Sequence, residues 1–122
     1  MKYNNQLIYE YNKNLFIFND CNIKMPVRIN FYLQKNIQLI RQAAEEIEMA
    51  RLNIAASFGT PNEEGTGYNI APDKIAEVNK ELNDLFNLEQ ELNLHIFKLS
   101  DFDNIELTFQ ELSAIMFMIE EE

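Results

Sequence analysis

The chain has little cysteine, proline, glycine or tryptophan. Its 122 residues include one cysteine, three prolines, three glycines and no tryptophan. Because a lone cysteine, Cys21, cannot form an intrachain disulfide, the fold must be held by non-covalent packing, and the cysteine count gives no support for an oxidising compartment. A chain of this length is typical of one domain that buries its own core. We therefore expect a single domain without a disulfide framework.

Long hydrophobic runs are also missing. No apolar stretch approaches the roughly 20 residues that a membrane-spanning helix needs. The first residues are polar and lack the apolar stretch of a signal peptide. We therefore expect a soluble, cytoplasmic protein that does not bind a membrane.

Positive charge is scarce and unevenly placed. Ten Lys and Arg residues stand against 20 Asp and Glu residues, so the formal net charge is -10. Residues 1–44 carry six basic and two acidic side chains (+4), whereas residues 45–122 carry four basic and 18 acidic ones (-14). The first region also holds seven of the fourteen aromatic residues. Because binding to nucleic acid through its phosphates needs a basic surface, direct nucleic-acid binding is not expected.

The clearest pattern predicts a long helix over residues 26–58. Pro26 suits a first helical position, no further proline or glycine follows before Gly59, and Gly59 predicts a left-handed cap. Apolar residues recur at alternating steps of three and four, as in a coiled-coil seam. The seam residues are Leu33, Ile37, Ile40, Ala44, Ile47, Ile54 and Phe58. The predicted helix is roughly 50 Å long.

A second helix is predicted over residues 72–92, after a loop rich in glycine. Pro72 begins it, the same apolar spacing continues, and Glu89 interrupts the seam. The two helices predict an antiparallel hairpin over residues 26–92. Because the second helix is shorter, residues 26–36 of the first are left without a partner helix. We therefore expect a homo-oligomer, a dimer or larger, in which another copy covers this overhang.

The flanking segments complete a mainly α fold with one helical domain over residues 1–122. Residues 1–25 hold either a short helix, which we favour, or a β-hairpin. Residues 93–122 hold a short extended segment and a buried C-terminal helix. Thr108 and Glu111 have the spacing of a capping box, with Leu107 and Leu112 as its hydrophobic staple, so this helix should begin at Phe109.

No motif predicts catalysis or a cofactor. His95 is the only histidine and lacks partners at metal-ligand spacing, so a structural or exposed role is favoured over a metal site. Cys21 has no companion base that would activate it as a nucleophile. Gly65-Thr66-Gly67 follows a helix rather than a strand and lacks the lysine of a phosphate-binding loop, which indicates a flexible turn. We expect a protein that is not an enzyme.

Two groups of charged residues are candidates for binding a partner. Arg51 would bind an anionic ligand, and a set of acidic residues would bind a basic surface. Arg51 interrupts the seam, and we expect it to reach the surface or to pair with Glu77 or Glu81, while Arg41 is the nearer partner for Glu89. Alternatively, Arg51 is a partly buried guanidinium that awaits an anionic ligand. Acidic residues of the two helices form either a solvated surface or a face that occupies a basic site on another protein. These residues are Glu45, Glu48, Glu77, Glu81 and Asp84.

Arg28, Tyr32 and Lys35 are candidates for binding a small anionic ligand. They lie in the basic, aromatic-rich region, and aromatic and cationic side chains are the groups that hold the bases and phosphates of nucleotides. Core packing explains the aromatic residues equally well.

A series of motifs runs along nearly the whole chain in a recognisable order. The motifs are Met25-Pro26-Val27, Lys35-Asn36-Ile37, the glycine-rich loop, Asn79-Lys80-Glu81-Leu82 with Leu85, Leu94-His95-Ile96-Phe97, Leu107-Thr108 with Glu111-Leu112, and Phe117-Met118-Ile119-Glu120-Glu121. In these motifs the chain resembles a family of small proteins from phages and prophages of Gram-positive bacteria. The motifs are structural, so no catalytic residues carry over. The resemblance implies a phage origin and a role in the cytoplasm of an infected cell.

Together these observations favour a non-enzymatic phage accessory protein that self-associates and binds or inhibits a host component, such as an anti-phage defence factor. One alternative is an oligomeric protein that sequesters a nucleotide signal. Another is a virion or assembly component.

Overall fold

The computed structural model describes residues 1–19, 23–65 and 67–120, and within these ranges the fold is mainly α, as predicted. The helices of this part of the chain are α1 (Asn5–Leu15), α2 (Val27–Phe58), α3 (Ile75–Asn87) and α4 (Phe109–Ile115). Short strands lie between the helices and pair with one another. The pairs are antiparallel β1 (Lys2–Asn4) with β4 (Glu89–Glu91), antiparallel β2 (Gly59–Pro61) with β3 (Tyr68–Ile70), and parallel β5 (Phe97–Lys98) with β6 (Ile119–Glu120).

The long helix α2 confirms the strongest sequence prediction. It contains 32 residues and begins one residue later than predicted, because Pro26 is its N-cap and the Pro26 carbonyl accepts the Asn30 N–H at 3.0 Å. The seam is buried from Leu33 to Ile47. Ile54 and Phe58, at the far end, are only half-buried.

Gly59 ends α2 in a way the sequence did not indicate. The predicted left-handed cap is wrong, since Gly59 is extended (φ -125°, ψ 177°) and begins β2. A Cβ at this position would lie 2.6 Å from Ile70 Cδ1 and 2.8 Å from the Asn69 carbonyl oxygen. Glycine is therefore needed because β3 approaches the backbone closely, not because of a positive φ.

The second long helix is shorter than predicted. α3 follows a 3-10 turn at Pro72–Lys74 and ends at Asn87, so the predicted extension to residue 92 is wrong. Asn5 is the physical reason: its backbone N–H donates to the Leu88 carbonyl and its side chain donates to the Leu85 carbonyl, both at 2.8 Å. These bonds satisfy carbonyls at the end of the helix and let β4 pair with β1.

Glu89 consequently lies in β4 rather than on a helical seam. The predicted Arg41–Glu89 pair is wrong. Arg41 instead donates to the side-chain oxygen of Asn19 at 3.3 Å.

α2 extends past α3, but its start is covered on one side by the chain's own C-terminal elements, so the expectation that residues 26–36 lack cover within the chain is wrong. Ile29 and Leu33 are 4% and 0% exposed, respectively. They belong to a core made with side chains that precede and follow α2 in the sequence. Its other buried members are Leu15, Phe18, Ile37, Ile40, Phe97, Phe102, Ala114, Ile115, Met118 and Ile119.

A smaller core lies beside α1. Its buried members are Tyr3, Ile8, Ala43, Ala44 and Ile47. Beyond Ile47 burial becomes sparse: among the described residues from 48 to 96, Val78 is the one buried side chain.

The terminal helices follow local signals well. α1 is a helix, as favoured, and Asn4 Oδ1 caps it by accepting the Leu7 N–H at 2.8 Å. The capping box before α4 is confirmed, since the Glu111 N–H donates to Thr108 Oγ1 at 3.1 Å and the Thr108 N–H donates to Glu111 Oε1 at 2.8 Å. α4 lasts only seven residues, because the chain then turns into β6 and pairs with β5.

Asn36 ties the extended segment before β5 to α2. Its side chain is 1% exposed, its Nδ2 donates to the His95 carbonyl at 2.8 Å, and its Oδ1 accepts the His95 N–H at 2.8 Å. The amide thus pairs with residue 95 as the backbone of a neighbouring strand would. Loss of this side chain would leave two polar backbone groups without partners.

We expect Asn36→Ala to lower the free energy of unfolding by about 3 kcal/mol, because both hydrogen bonds to residue 95 are lost in a buried place. Urea denaturation followed by circular dichroism measures this change. The control is Asn30→Ala, an exposed position on the same helix, which should change the free energy by less than about 0.5 kcal/mol. Equal losses in both variants would contradict the structural role of Asn36.

Candidate binding groove

A surface groove of about 610 Å³ opens between α1 and α2. Each wall is one face of a helix, since residues three, four and seven apart share a face. From the first helix and the turn after it come Tyr9, Asn12, Lys13 and Phe16, and from α2 come Arg41, Ala44, Glu45 and Glu48. We call this the α1–α2 groove.

One wall of the groove is held by a network of three side chains. Tyr9 Oη donates to Glu48 Oε2 at 2.8 Å, and Arg51 Nε donates to the same oxygen at 3.0 Å. Arg51 Nη2 also donates to Glu48 Oε1. The ring of Tyr9 packs edge-on against Phe86 of α3, with ring centroids 5.6 Å apart. The network therefore connects α1, α2 and α3.

The protonation of the network follows from these bonds. The hydrogen bonds from Arg51 and then from Tyr9 lower the pKa of Glu48 from 4.5 to about 2. The bond to Glu48, together with burial, raises the pKa of the Tyr9 phenol. Glu48 is therefore a carboxylate whose negative charge is matched by Arg51 at neutral pH.

Arg51 does not pair with α3. The predicted pairing with Glu77 or Glu81 is wrong, because Arg51 pairs with Glu48, which lies three residues away on the same helix. The Arg51 side chain is 40% exposed. It therefore reaches the surface, which is the other outcome that the sequence predicts.

The remaining charges of the groove are less compensated. Neither Lys13 nor Arg41 has a carboxylate partner within the described ranges, and the bond of Arg41 to Asn19 is to a neutral oxygen. Phe16 is 61% exposed beside them. The groove thus offers an aromatic surface and two cations, with Glu45 as its exposed carboxylate.

The predicted ligand residues Arg28 and Tyr32 do come together. The guanidinium carbon of Arg28 lies 5.9 Å from the centroid of the Tyr32 ring. That ring also stacks on His95, with centroids 4.0 Å apart and an interplanar angle of 11°. Lys35 lies elsewhere, in a shallow depression on the outer side of α2 with Phe31. A base that stacked on Tyr32 would have to displace a packed neighbour.

His95 has the structural setting favoured from the sequence. Its ring lies between Tyr32 and Phe97, and its backbone is held by Asn36. Residues 1–19, 23–65 and 67–120 contain no cluster of three or more His, Cys, Asp or Glu side chains that could hold a metal ion. Cys21 and Thr66 lie outside these described residues.

The predicted acidic face is divided between two places. Glu45 and Glu48 line the α1–α2 groove. Glu77, Glu81 and Asp84 are exposed on α3 at a spacing of four and then three residues.

The sequence did not single out the groove residues of α1 and the turn after it, among them Tyr9, Lys13 and Phe16. Their spacing of four and three residues places them on one face of a helix. This helical spacing is present in the sequence, but the aromatic residues of the first region are equally well explained as core residues.

Comparison of the chain with protein-family models, with curated proteins and with solved structures found no match. None of the helices in the described part of the chain combines the length and the apolar character needed to cross a membrane.

We expect Glu48→Gln to lower the free energy of unfolding by about 0.5 to 1 kcal/mol at pH 7, because a partly exposed ion pair is lost. The pKa of Glu48 is about 2 in the fold and 4.5 ordinarily. Its stabilising contribution is therefore complete above about pH 4.5 and is lost as the pH falls toward 2. Urea unfolding between pH 7 and pH 2.5 measures the difference from wild type, which should shrink over this range.

Glu45→Gln is the matched control, since Glu45 is a groove carboxylate without a hydrogen bond to a described residue. Its difference from wild type should stay near zero. A loss in Glu48→Gln that is the same at every pH would rule out the Tyr9–Glu48–Arg51 network as its cause.

Proposed function

We propose that this protein is a non-enzymatic binding protein that docks a segment of another protein in the α1–α2 groove. The observation that carries this function is the 61% exposure of Phe16 beside Lys13 and Arg41, two cations without a carboxylate partner in the described part of the chain. Exposed aromatic side chains next to cations are typical of residues that dominate binding energy.

The chemistry of the groove defines the segment that fits it. An apolar side chain would pack on Phe16 and Ala44, and an acidic side chain would pair with Lys13 or Arg41. An amphipathic helix presents both kinds of side chain on one face and fits between two helices. Because Arg51 neutralises Glu48, that carboxylate does not repel an acidic partner as a free one would.

The biological setting rests on the resemblance to phage and prophage proteins. In this setting the protein is an accessory factor that works as a homo-oligomer in the cytoplasm of the infected cell. Its target is a host component such as a defence factor, which it inhibits by occupying a surface. The acidic residues of α3 add negative charge that favours a target with a basic site nearby.

We expect Phe16→Asp to weaken binding of a captured host protein at least tenfold, a loss of about 1.4 kcal/mol, because an aromatic contact is replaced by a charge that must be desolvated. The tagged protein is used to recover partners from a lysate of a Gram-positive host. Isothermal titration calorimetry with the purified partner then measures its dissociation constant.

The control is Leu99→Asp, at an apolar residue directly after β5 that is 50% exposed and lines neither the groove nor the neighbouring depression that contains Lys13. It should bind like wild type. Lys13→Glu should weaken binding as Phe16→Asp does. Equal affinity of wild type and Phe16→Asp would contradict docking in the groove.

Sequestration of a nucleotide is a second candidate, favoured by the meeting of Arg28 with Tyr32. Stacking of His95 on Tyr32 opposes it. A ligand at a hundred times its dissociation constant adds about 2.7 kcal/mol to the stability of the fold. We expect no rise in melting temperature with linear or cyclic nucleotides, and a rise that is lost in Arg28→Ala would establish this second function instead.

A further inference from the structure

The side of α2 that faces away from the core carries large apolar side chains in solvent. Val27 and Phe31 are 86% and 60% exposed, and Met49 and Leu52 are 65% and 42% exposed. They belong to one row of exposed residues that repeats at steps of three and four along the whole helix. This outer stripe consists of Val27, Phe31, Gln34, Gln38, Gln42, Glu45, Met49, Leu52 and Ala56. A solvated helix face is normally polar, so the stripe needs a partner.

The apolar ends of the stripe lie at equal distances from its midpoint. The midpoint of the stripe lies between Arg41 and Gln42. Phe31 and Leu52 are at equal distances from this midpoint, on opposite sides of it. The same relation holds for the other members of the stripe except Gln42, which lies directly beside the midpoint. These further pairs are Val27 with Ala56, Gln34 with Met49, and Gln38 with Glu45. Both ends of the stripe are thus apolar and its middle is polar. A two-fold interface has this property, because each residue meets its counterpart in reversed order.

The charges along α2 favour one orientation of such a pair. Arg28, Lys35 and Arg41 precede the midpoint, and the acidic residues Glu45 and Glu46 follow it. In an antiparallel pair the basic half of one helix lies over the acidic half of the other, whereas a parallel pair opposes like charges.

Lys35 and Glu46 show this complementarity at single positions. Both are exposed and flank the stripe on the same side, and neither has an ion-pair partner within the described residues. Flanking positions on the same side meet across an antiparallel helix pair. Lys35 of one copy would therefore meet Glu46 of the other.

We propose that two copies of the chain associate through their outer stripes, with the two α2 helices antiparallel about a two-fold axis beside Gln42. A second copy fits better than an unrelated protein because the apolar ends of the stripe meet each other and its charges are complementary. A contact along roughly 45 Å of helix can exceed the about 1,000 Å² that a specific interface needs.

The dimer deepens the self-association contained in the proposed function and rests on that part of it. It does not depend on docking in the groove. Glu45 lines the α1–α2 groove and also belongs to the middle of the stripe, and the groove residue Arg41 directly precedes the stripe residue Gln42. The two grooves of a dimer therefore open close to the axis.

Disulfide trapping in the full chain tests the orientation. In a Cys21→Ser background, Gln42→Cys should form a linked dimer under mild oxidation, because its two copies face each other across the axis. Gln34→Cys should not, since its two copies are roughly 22 Å apart along the helices, far beyond disulfide reach. A mixture of Gln34→Cys and Met49→Cys should give a linked heterodimer. Linkage of Gln34→Cys to itself, or no linkage at Gln42→Cys, would overturn the antiparallel dimer.

Sedimentation equilibrium tests the interface in solution without a host partner. Wild type should be dimeric at about 100 μM, and Phe31→Asp should raise the dimer dissociation constant at least tenfold. Phe109→Asp is the matched control, since Phe109 is an aromatic residue that is 84% exposed on α4 and outside the stripe, and it should leave the constant unchanged. Lys35→Glu should weaken the dimer, and adding Glu46→Lys to it should restore affinity. A wild-type monomer at this concentration, or a dimer unaffected by Phe31→Asp, would overturn the proposal.

Phe16→Asp separates the two hypotheses. It should stay dimeric while losing the host partner. Failure of the groove therefore leaves the dimer intact, and failure of the dimer leaves host binding to be measured on its own.

Discussion

The pairing of the Asn36 amide with the backbone of residue 95 is the interaction on which the rest of the fold depends. It fixes the extended segment on α2 and thereby directs Phe97 into the core. β5 then gives β6 an edge to pair with, which returns the last described residues to the same core. One buried amide thus allows the C-terminal third to cover the first half of a helix that would otherwise be exposed.

Local signals in the sequence predicted a large part of this fold. The seam of α2 and the box formed by Thr108 and Glu111 depend on residues close together in the chain, and both are present. The end of α3 was missed because it depends on Asn5, which is more than 80 residues away. Strands of two or three residues are too short to show a periodic pattern, so the sequence predicts the residues of β4 as a continuation of α3.

The candidate site was predicted in part. Glu48 and Arg51 are both candidates from the sequence, but the coiled-coil spacing predicts a partner for Arg51 across the hairpin, whereas its partner is a carboxylate three residues away on the same helix. Phe16 was missed because composition does not distinguish an aromatic residue in the core from one in solvent. That distinction depends on how α1 lies on α2.

The sparse burial beyond Ile47 has a consequence for cooperativity. Proteins open first where few side chains are buried, and such openings need not involve the whole domain. The last turns of α2, the β2–β3 hairpin and the start of α3 form such a unit. Leu52 and Ala56 belong to it and also to the outer stripe. Association of two copies would therefore order the least stable part of each chain, so that self-association and local folding are thermodynamically linked.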